Sequence, residues 1–233
     1  MKKTLNLLLL GVFLNTLSAQ VSTVEKHALI DLYNATNGSQ WNNSWNFETD
    51  VSTWYGVDVK NNKVVALNLI FNNLEGIIPE SISKLKNLKT LELSFNKIHG
   101  SLTDEIGKLR KLEKLMISAN FLTGQVPESI KNLKSLKELH LSSNLLTGEI
   151  PNNIDKMVNL EVLNLFDNKI TGTIPAELKN CKHLKKVLLS NNYIQTNDIY
   201  DIILGSSIVT DLIELPLNNN NTTLLSKKNN PKL

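Results

Sequence analysis

Residues 136–151 read Leu136-Lys137-Glu138-Leu139-His140-Leu141-Ser142-Ser143-Asn144-Leu145-Leu146-Thr147-Gly148-Glu149-Ile150-Pro151, and the same pattern recurs along the chain every 24 residues. The apolar triplet Leu139-His140-Leu141 is preceded by Leu67-Asn68-Leu69, Leu91-Glu92-Leu93 and Leu115-Met116-Ile117, and followed by Leu163-Asn164-Leu165 and Val187-Leu188-Leu189. An asparagine stands three residues after each triplet, at Asn72, Asn96, Asn120, Asn144, Asn168 and Asn192. A fixed period of this length is the mark of a stacked solenoid, in which each coil contacts only its neighbours. Such a stack offers an extended surface in place of a closed pocket, which favours recognition over catalysis.

Five coils are complete, beginning at Val64, Leu88, Leu112, Leu136 and Leu160, and a sixth begins at Leu184 and loses the pattern halfway. Apolar residues alternate within each triplet, so Leu67 and Leu69 point inward and Asn68 points outward. Coils one strand spacing apart, ~4.8 Å, then form a parallel sheet with like positions stacked in columns. The asparagines turn inward, where an amide can both donate to and accept from the backbone of the bend. Cys181 falls in the column of Leu85, Leu109, Leu133 and Met157, which makes it a small buried hydrophobe.

Outside the repeats, residues 1–19 read as a secretory leader: Lys2 and Lys3, an apolar run from Leu7 to Leu14, and small residues at Ser18 and Ala19 before Gln20. The run is too short to span a membrane, which takes ~20 residues. Residues 20–63 read as an amino-terminal cap. Ser22 and Glu25 form a capping box ahead of an apolar helical face at Ala28, Leu29, Leu32 and Tyr33. Trp41, Trp45 and Trp54 follow, then a short strand over Tyr55 to Val59 and a turn at Asn61-Asn62. The first coil of a stack exposes its apolar side and needs a lid, and three large rings at that end supply one. The repeat region is assigned to 64–207, with a short helix over Asp198 to Leu204. Residues 208–233 read as a last coil around Leu212 to Leu217 or an unstructured tail rich in asparagine, threonine and lysine.

The repeat Leu-x-x-Leu-x-Leu-x-x-Asn-x-Leu-x-Gly-x-Ile-Pro resembles the plant-type leucine-rich repeat over residues 64–192, and residues 24–63 resemble that family's amino-terminal cap. The family's paired cap cysteines are replaced by Ser52 and Val59 around Trp54-Tyr55-Gly56-Val57. Together with the short Lys-Lys leader, this looks like a bacterial secreted relative. The resemblance implies an α/β repeat solenoid: a right-handed leucine-rich-repeat superhelix with a parallel concave sheet and a 3-10 or irregular convex side. It also implies a binding protein, since members of the family include receptor ectodomains and inhibitors of secreted enzymes.

The formal net charge is +3, with Lys2 and Lys3 contributing two of the positives. A mature chain near neutrality carries no electrostatic signature for nucleic acid or an anionic membrane. The four histidines, His27, His99, His140 and His183, are scattered in the repeat frame, and the chain shows no phosphate loop, metal-spaced Cys/His cluster or nucleophile elbow. We therefore expect no enzyme, cofactor or metal. The expected role is secreted, periplasmic or cell-surface recognition of a protein partner by the concave face. The partner-binding residues expected are Phe71, Phe95, Met116, His140 and Phe166, an apolar patch within a polar surround. A column from Lys89 through Glu113, Lys137 and Glu161 to Lys185 alternates in sign and predicts an ion-pair ladder. The alternative ligand class is repetitive, a glycan or ice, for which Thr123, Thr147 and Thr171 form a short ladder.

Overall fold

The computed structural model describes residues 20–195. Residues 1–19, expected to be a leader, and residues 196–233, with the helix expected over Asp198 to Leu204 and the last coil or tail expected over 208–233, lie outside the described residues. The leading helix α1 (Thr23–Ala35) opens on the capping box: the Ser22 hydroxyl accepts from the Glu25 amide and donates to the Glu25 carboxylate. Strands β1 (Val57–Lys60) and β2 (Lys63–Asn68) form an antiparallel hairpin. Asn61 and Asn62 turn it with φ of 49° and 58°, the left-handed values that a tight hairpin requires and asparagine tolerates. The strand thus begins at Val57, two residues later than the alternation suggests, because Tyr55-Gly56 is consumed by a turn.

The remaining strands, in chain order, are β3 (Glu75–Gly76), β4 (Thr90–Glu92), β5 (Lys97–Ser101), β6 (Lys114–Met116), β7 (Phe121–Thr123), β8 (Glu138–His140), β9 (Val162–Asn164) and β10 (Lys186–Leu188). They build two sheets. The concave sheet has the order β1-β2-β4-β6-β8-β9-β10 and is parallel after its first pair. A lateral sheet, β3-β5-β7, is also parallel. Register is set by the repeat: Leu67, Leu91, Leu115, Leu139, Leu163 and Val187 lie side by side. Each is buried, so a slip of one residue would turn the whole apolar set to solvent.

The convex side is made of 3-10 turns at Glu80–Lys84, Asp104–Lys108, Glu128–Asn132, Ile154–Lys156 and Ala176–Asn180. Pro79, Pro127 and Pro175 sit immediately before three of them in extended conformation. Their fixed φ suits that position, and their missing amide is not needed there. In the second coil Thr103 stands in the proline position, and its hydroxyl accepts from the Glu105 amide.

Asn96, Asn120, Asn144 and Asn168 each make the same set of bonds. The Asn144 amide nitrogen donates to the carbonyls of Ile117, Leu141 and Ser142 at 2.9, 3.1 and 3.2 Å, and its oxygen accepts from the Leu122 amide at 3.0 Å. Asn72 has no coil before it. Its oxygen accepts instead from the backbone amide of Asn43 in the cap, at 2.7 Å.

The cap is an aromatic lid. The ring centroids of Trp41 and Trp45, and of Trp45 and Trp54, lie 4.9 Å apart, with Tyr33 and Phe47 closing the cluster. All three tryptophans are buried. Trp41 donates to the Thr36 carbonyl and Trp45 to that of Tyr55.

Cys181 is buried at the end of its convex turn. Burial, with a smaller push from the Asp155 carboxylate, raises its thiol to about 11. At pH 8 only about a thousandth is thiolate. Ellman's reagent should therefore leave the folded chain almost unlabelled and titrate the thiol fully in denaturant; rapid labelling of the folded chain would contradict its place in the core.

Candidate functional site

The outward residues of the concave strands carry most of the charge on that face. Lys89 Nζ lies 3.0 Å from Glu113 Oε1, and Lys137 Nζ lies 2.8 Å from Glu113 Oε2. Lys185 pairs with Glu161 at 2.6 Å. The expected ladder is therefore two separate groups, because the Lys137 ammonium is committed to Glu113. In the neighbouring column Lys114 pairs with Glu138 at 2.7 Å, and His140 Nε2 approaches Glu138 at 3.4 Å.

Hydrogen bonds from Lys137 and Lys89 hold the Glu113 carboxyl below its ordinary value, and that from Lys185 does the same for Glu161. The same bond, in which the Lys137 ammonium donates to the Glu113 carboxylate, raises Lys137. The carboxylates' folded pKa is depressed below the ordinary 4.5. Their contribution is thus complete above that value and fades as pH falls through the folded one.

A second polar seam runs beside the ion pairs. The Ser118 amide donates to the Ser94 hydroxyl, Ser142 donates to Ser118, and Asn164 donates to Ser142. Glu92, which alternation alone turns to solvent, is buried, with its carboxylate accepting from the Ser94 amide at 2.8 Å. The polar groups of the concave face are largely satisfied by one another. His140 Nε2, buried without a hydrogen-bond partner among the described residues, is an exception. Beside these groups lies exposed apolar surface.

Phe71 and Phe95 supply it. Their rings stack with centroids 4.3 Å apart and planes 19° from parallel, and they are 61% and 49% exposed. The cap does not cover them, although Asn42 donates to the Phe71 carbonyl. Their column lies at the rim of the concave sheet and not on its strands. Phe71, Phe95, Ala119, Ser143, Asp167 and Asn191 all have φ between 51° and 58°, and this left-handed bend swings the chain out of the sheet. Alternation alone hides this, since the bend breaks the period of two. A bulky residue in this conformation is unfavourable, and asparagine or aspartate, as in the last two coils, is the comfortable choice.

Met116 and His140 are cross-strand neighbours in the concave sheet and are both half-buried. Phe166, expected to be exposed, is half-buried in the column of Ser142 and Ser190. It follows β9, two strands beyond Met116 in the sheet order. The structure thus joins Phe71 to Phe95 and Met116 to His140, and leaves Phe166 apart. Phe121, Leu145 and Tyr193, at 53%, 37% and 69% exposure, were not among the expected residues. They occupy the position just after each asparagine, on the lateral side, and a 24-residue column reading of that position would have found them.

The family is leucine-rich repeat: the model of a leucine-rich repeat region matches residues 58–215, and the chain belongs to this family. No curated protein sequence matches the chain significantly. Among solved structures, it is similar to the Arabidopsis receptor kinase HAESA in complex with the peptide hormone IDA and the co-receptor SERK1. There the identity is 32% and the TM-score 0.68, over 81% of this chain and 32% of that one. It is similar to the BIR3–SERK2 complex from Arabidopsis thaliana at 31% identity and TM-score 0.64, over 72% of this chain and 93% of that one. It also resembles a plant ice-binding protein at 29% identity and TM-score 0.70, over 75% of this chain and 58% of that one. The chain thus spans about a third of the matched chain in the HAESA complex and less than two thirds of the ice-binding protein. Among the described residues no helix is long and apolar enough to cross a membrane.

Proposed function

We propose that this chain is a non-catalytic recognition protein working outside the cytoplasm, secreted, periplasmic or at the cell surface. Its partner is a protein or peptide held at the amino-terminal end of the concave face. Phe71 and Phe95 are the anchor, Met116 and His140 extend the contact along the sheet, and Phe166 lies at its far margin. The organisation that goes with this reading is a leader at 1–19, a cap at 20–63, repeats over 64–207 and a terminal segment at 208–233. The cysteine-free cap fits a bacterial secreted relative of the plant-type proteins.

The observation that carries the reading is the exposed Phe71–Phe95 stack on left-handed backbone. Two phenylalanines stand where asparagine would cost the fold less, and their rings cover nothing inside it. The peptide hormone in the HAESA complex supports the ligand class. The test is the paired variant Phe71→Asn/Phe95→Asn. Loss of ring stacking, ~0.5–1.5 kcal/mol, and relief of the strained backbone, of similar size, nearly cancel, so stability should change little. Capture of the extracellular partner should weaken roughly thirtyfold or more, as for buried aromatic anchors. Unchanged capture by a folded variant would sink the assignment.

A second reading, ice, is favoured by one observation: Thr123, Thr147 and Thr171 are exposed in one column of the lateral side, in a fold shared with a plant ice-binding protein. Thermal hysteresis of the purified chain, abolished by Thr147→Asn, would establish it; freezing-point behaviour no different from that of an inert protein would remove it.

A further inference from the structure

Phe121, Leu145 and Tyr193 border an open groove of about 530 Å³ on the lateral side, four coils long and distinct from the Phe71–Phe95 stack. We propose that this groove is a binding site for a neutral polysaccharide chain. It does not depend on the protein-partner reading and uses none of that site's residues.

The argument begins with which polar groups are free. On the concave face the carboxylates, ammonium groups and serine hydroxyls are bonded to one another. In the groove, the side chains of Ser143, Asp167, Asn191 and Lys169 have no hydrogen-bond or ion-pair partner among the described residues, and neither does the Tyr193 hydroxyl. These groups are interleaved with apolar surface coil by coil. The backbone beneath them is fixed: the amides of Leu145, Lys169 and Tyr193 donate to the carbonyls of Leu122, Leu146 and Ile170 at 2.7–2.8 Å. The left-handed bend sets Ser143, Asp167 and Asn191 in one row with φ of 51° to 57°. The site is therefore held in place before any ligand arrives, and little ordering is needed on binding.

A mixed lining of this kind discriminates between ligands. The core of a protein interface is depleted of charge, and an apolar protein surface would leave Asp167 and Lys169 desolvated and unpaired, which is costly. Sugar hydroxyls both donate and accept, so they match a carboxylate, an ammonium, an amide and two hydroxyls at once. The electron-rich faces of Phe121 and Tyr193 suit the weakly positive C–H faces of pyranose rings, on the same electrostatics that orients aromatic pairs. One carboxylate and one ammonium cancel in charge, which favours a neutral chain over a uronate-rich one. The two rings stand three coil spacings apart, ~14 Å, so an extended oligosaccharide reaches both and a monosaccharide does not.

The test is affinity electrophoresis of the purified chain in native gels containing laminarin, xylan or hydroxyethylcellulose. We expect at least one of the three to retard the wild-type chain. The variant Phe121→Ala/Tyr193→Ala should bind that polysaccharide roughly tenfold more weakly, given two ring contacts. Both rings are half or more exposed, so the variant should keep the wild-type melting temperature; Asp167→Ala, which removes only a free carboxylate, gives an independent check and should also weaken retardation. The Phe71→Asn/Phe95→Asn variant should migrate like the wild type. Retardation by none of the three polysaccharides would overturn the proposal. So would retardation that survives Phe121→Ala/Tyr193→Ala, or that is lost in Phe71→Asn/Phe95→Asn.

Discussion

Asn144→Ala should destabilise the chain by about 3 kcal/mol or more, although the side chain it removes is polar. The amide serves four backbone groups in two coils: the carbonyls of Ile117, Leu141 and Ser142, and the amide of Leu122. An orphaned buried polar group costs ~1–3 kcal/mol. The Leu122 amide loses its partner outright. The carbonyls of Ile117, Leu141 and Ser142 each lose one bond, worth ~0.5–1.5 kcal/mol, and keep another donor, Asn120, Asn168 and the Ala119 amide respectively. The position is interior to the stack, so the loss also weakens both flanking interfaces, on which a solenoid's stability depends. Urea unfolding followed by circular dichroism would measure the change. Lys179→Ala is the reference. Lys179 is an exposed convex residue, whose loss should stay within ~0.5 kcal/mol. If Asn144→Ala unfolds at the same urea concentration as Lys179→Ala, the asparagine column is not what holds the bends.

Trp45→Ala should cost ~3–5 kcal/mol, the range for deleting a buried aromatic. Trp45 is the centre of the lid. Its ring meets Trp41 and Trp54, each at 4.9 Å, and its indole N–H holds the Tyr55 carbonyl at 2.9 Å. Removing it opens a cavity and frees that carbonyl. It also loosens the cover over the first coil, whose Leu67, Leu69 and Leu74 are fully buried. A bared coil end is an adhesive surface, so the variant should elute as higher oligomers in size-exclusion chromatography as well as unfold earlier. A monomer of wild-type stability would show that the stack closes without its lid.

The fold was legible because its determinants are periodic. Leu67, Asn72 and their successors can be aligned by counting, and each column has one physical job. The lid was legible for a related reason: Trp41, Trp45 and Trp54 fall where the stack must be closed. The lateral sheet was not visible, since Glu75–Gly76, Lys97–Ser101 and Phe121–Thr123 bury at most one residue each and so carry no apolar alternation to be read. The candidate site was legible in residue type and less so in placement. The exposure and stacking of Phe71 and Phe95 were expected from their column, but their position on a left-handed bend at the rim depends on backbone angles that no apolar pattern encodes. Glu92 is the sharpest miss. Its column faces outward in every coil, yet its carboxylate folds back onto the Ser94 amide, a local bond that competes with exposure to water. Phe121, Leu145 and Tyr193 share their column with the polar Asn73, Lys97 and Lys169, so no continuous apolar stripe marks it.

The central claim is that a protein partner seats on the Phe71–Phe95 rim. Site-specific photo-crosslinking tests it most directly, with Phe95→p-benzoylphenylalanine compared with the same substitution at Lys131 on the convex turn and at Phe121 on the lateral side. The account predicts a covalent protein adduct, formed in the native extracellular milieu, from position 95 and from neither of the others. An adduct from position 131 or 121 with none from position 95 would contradict it.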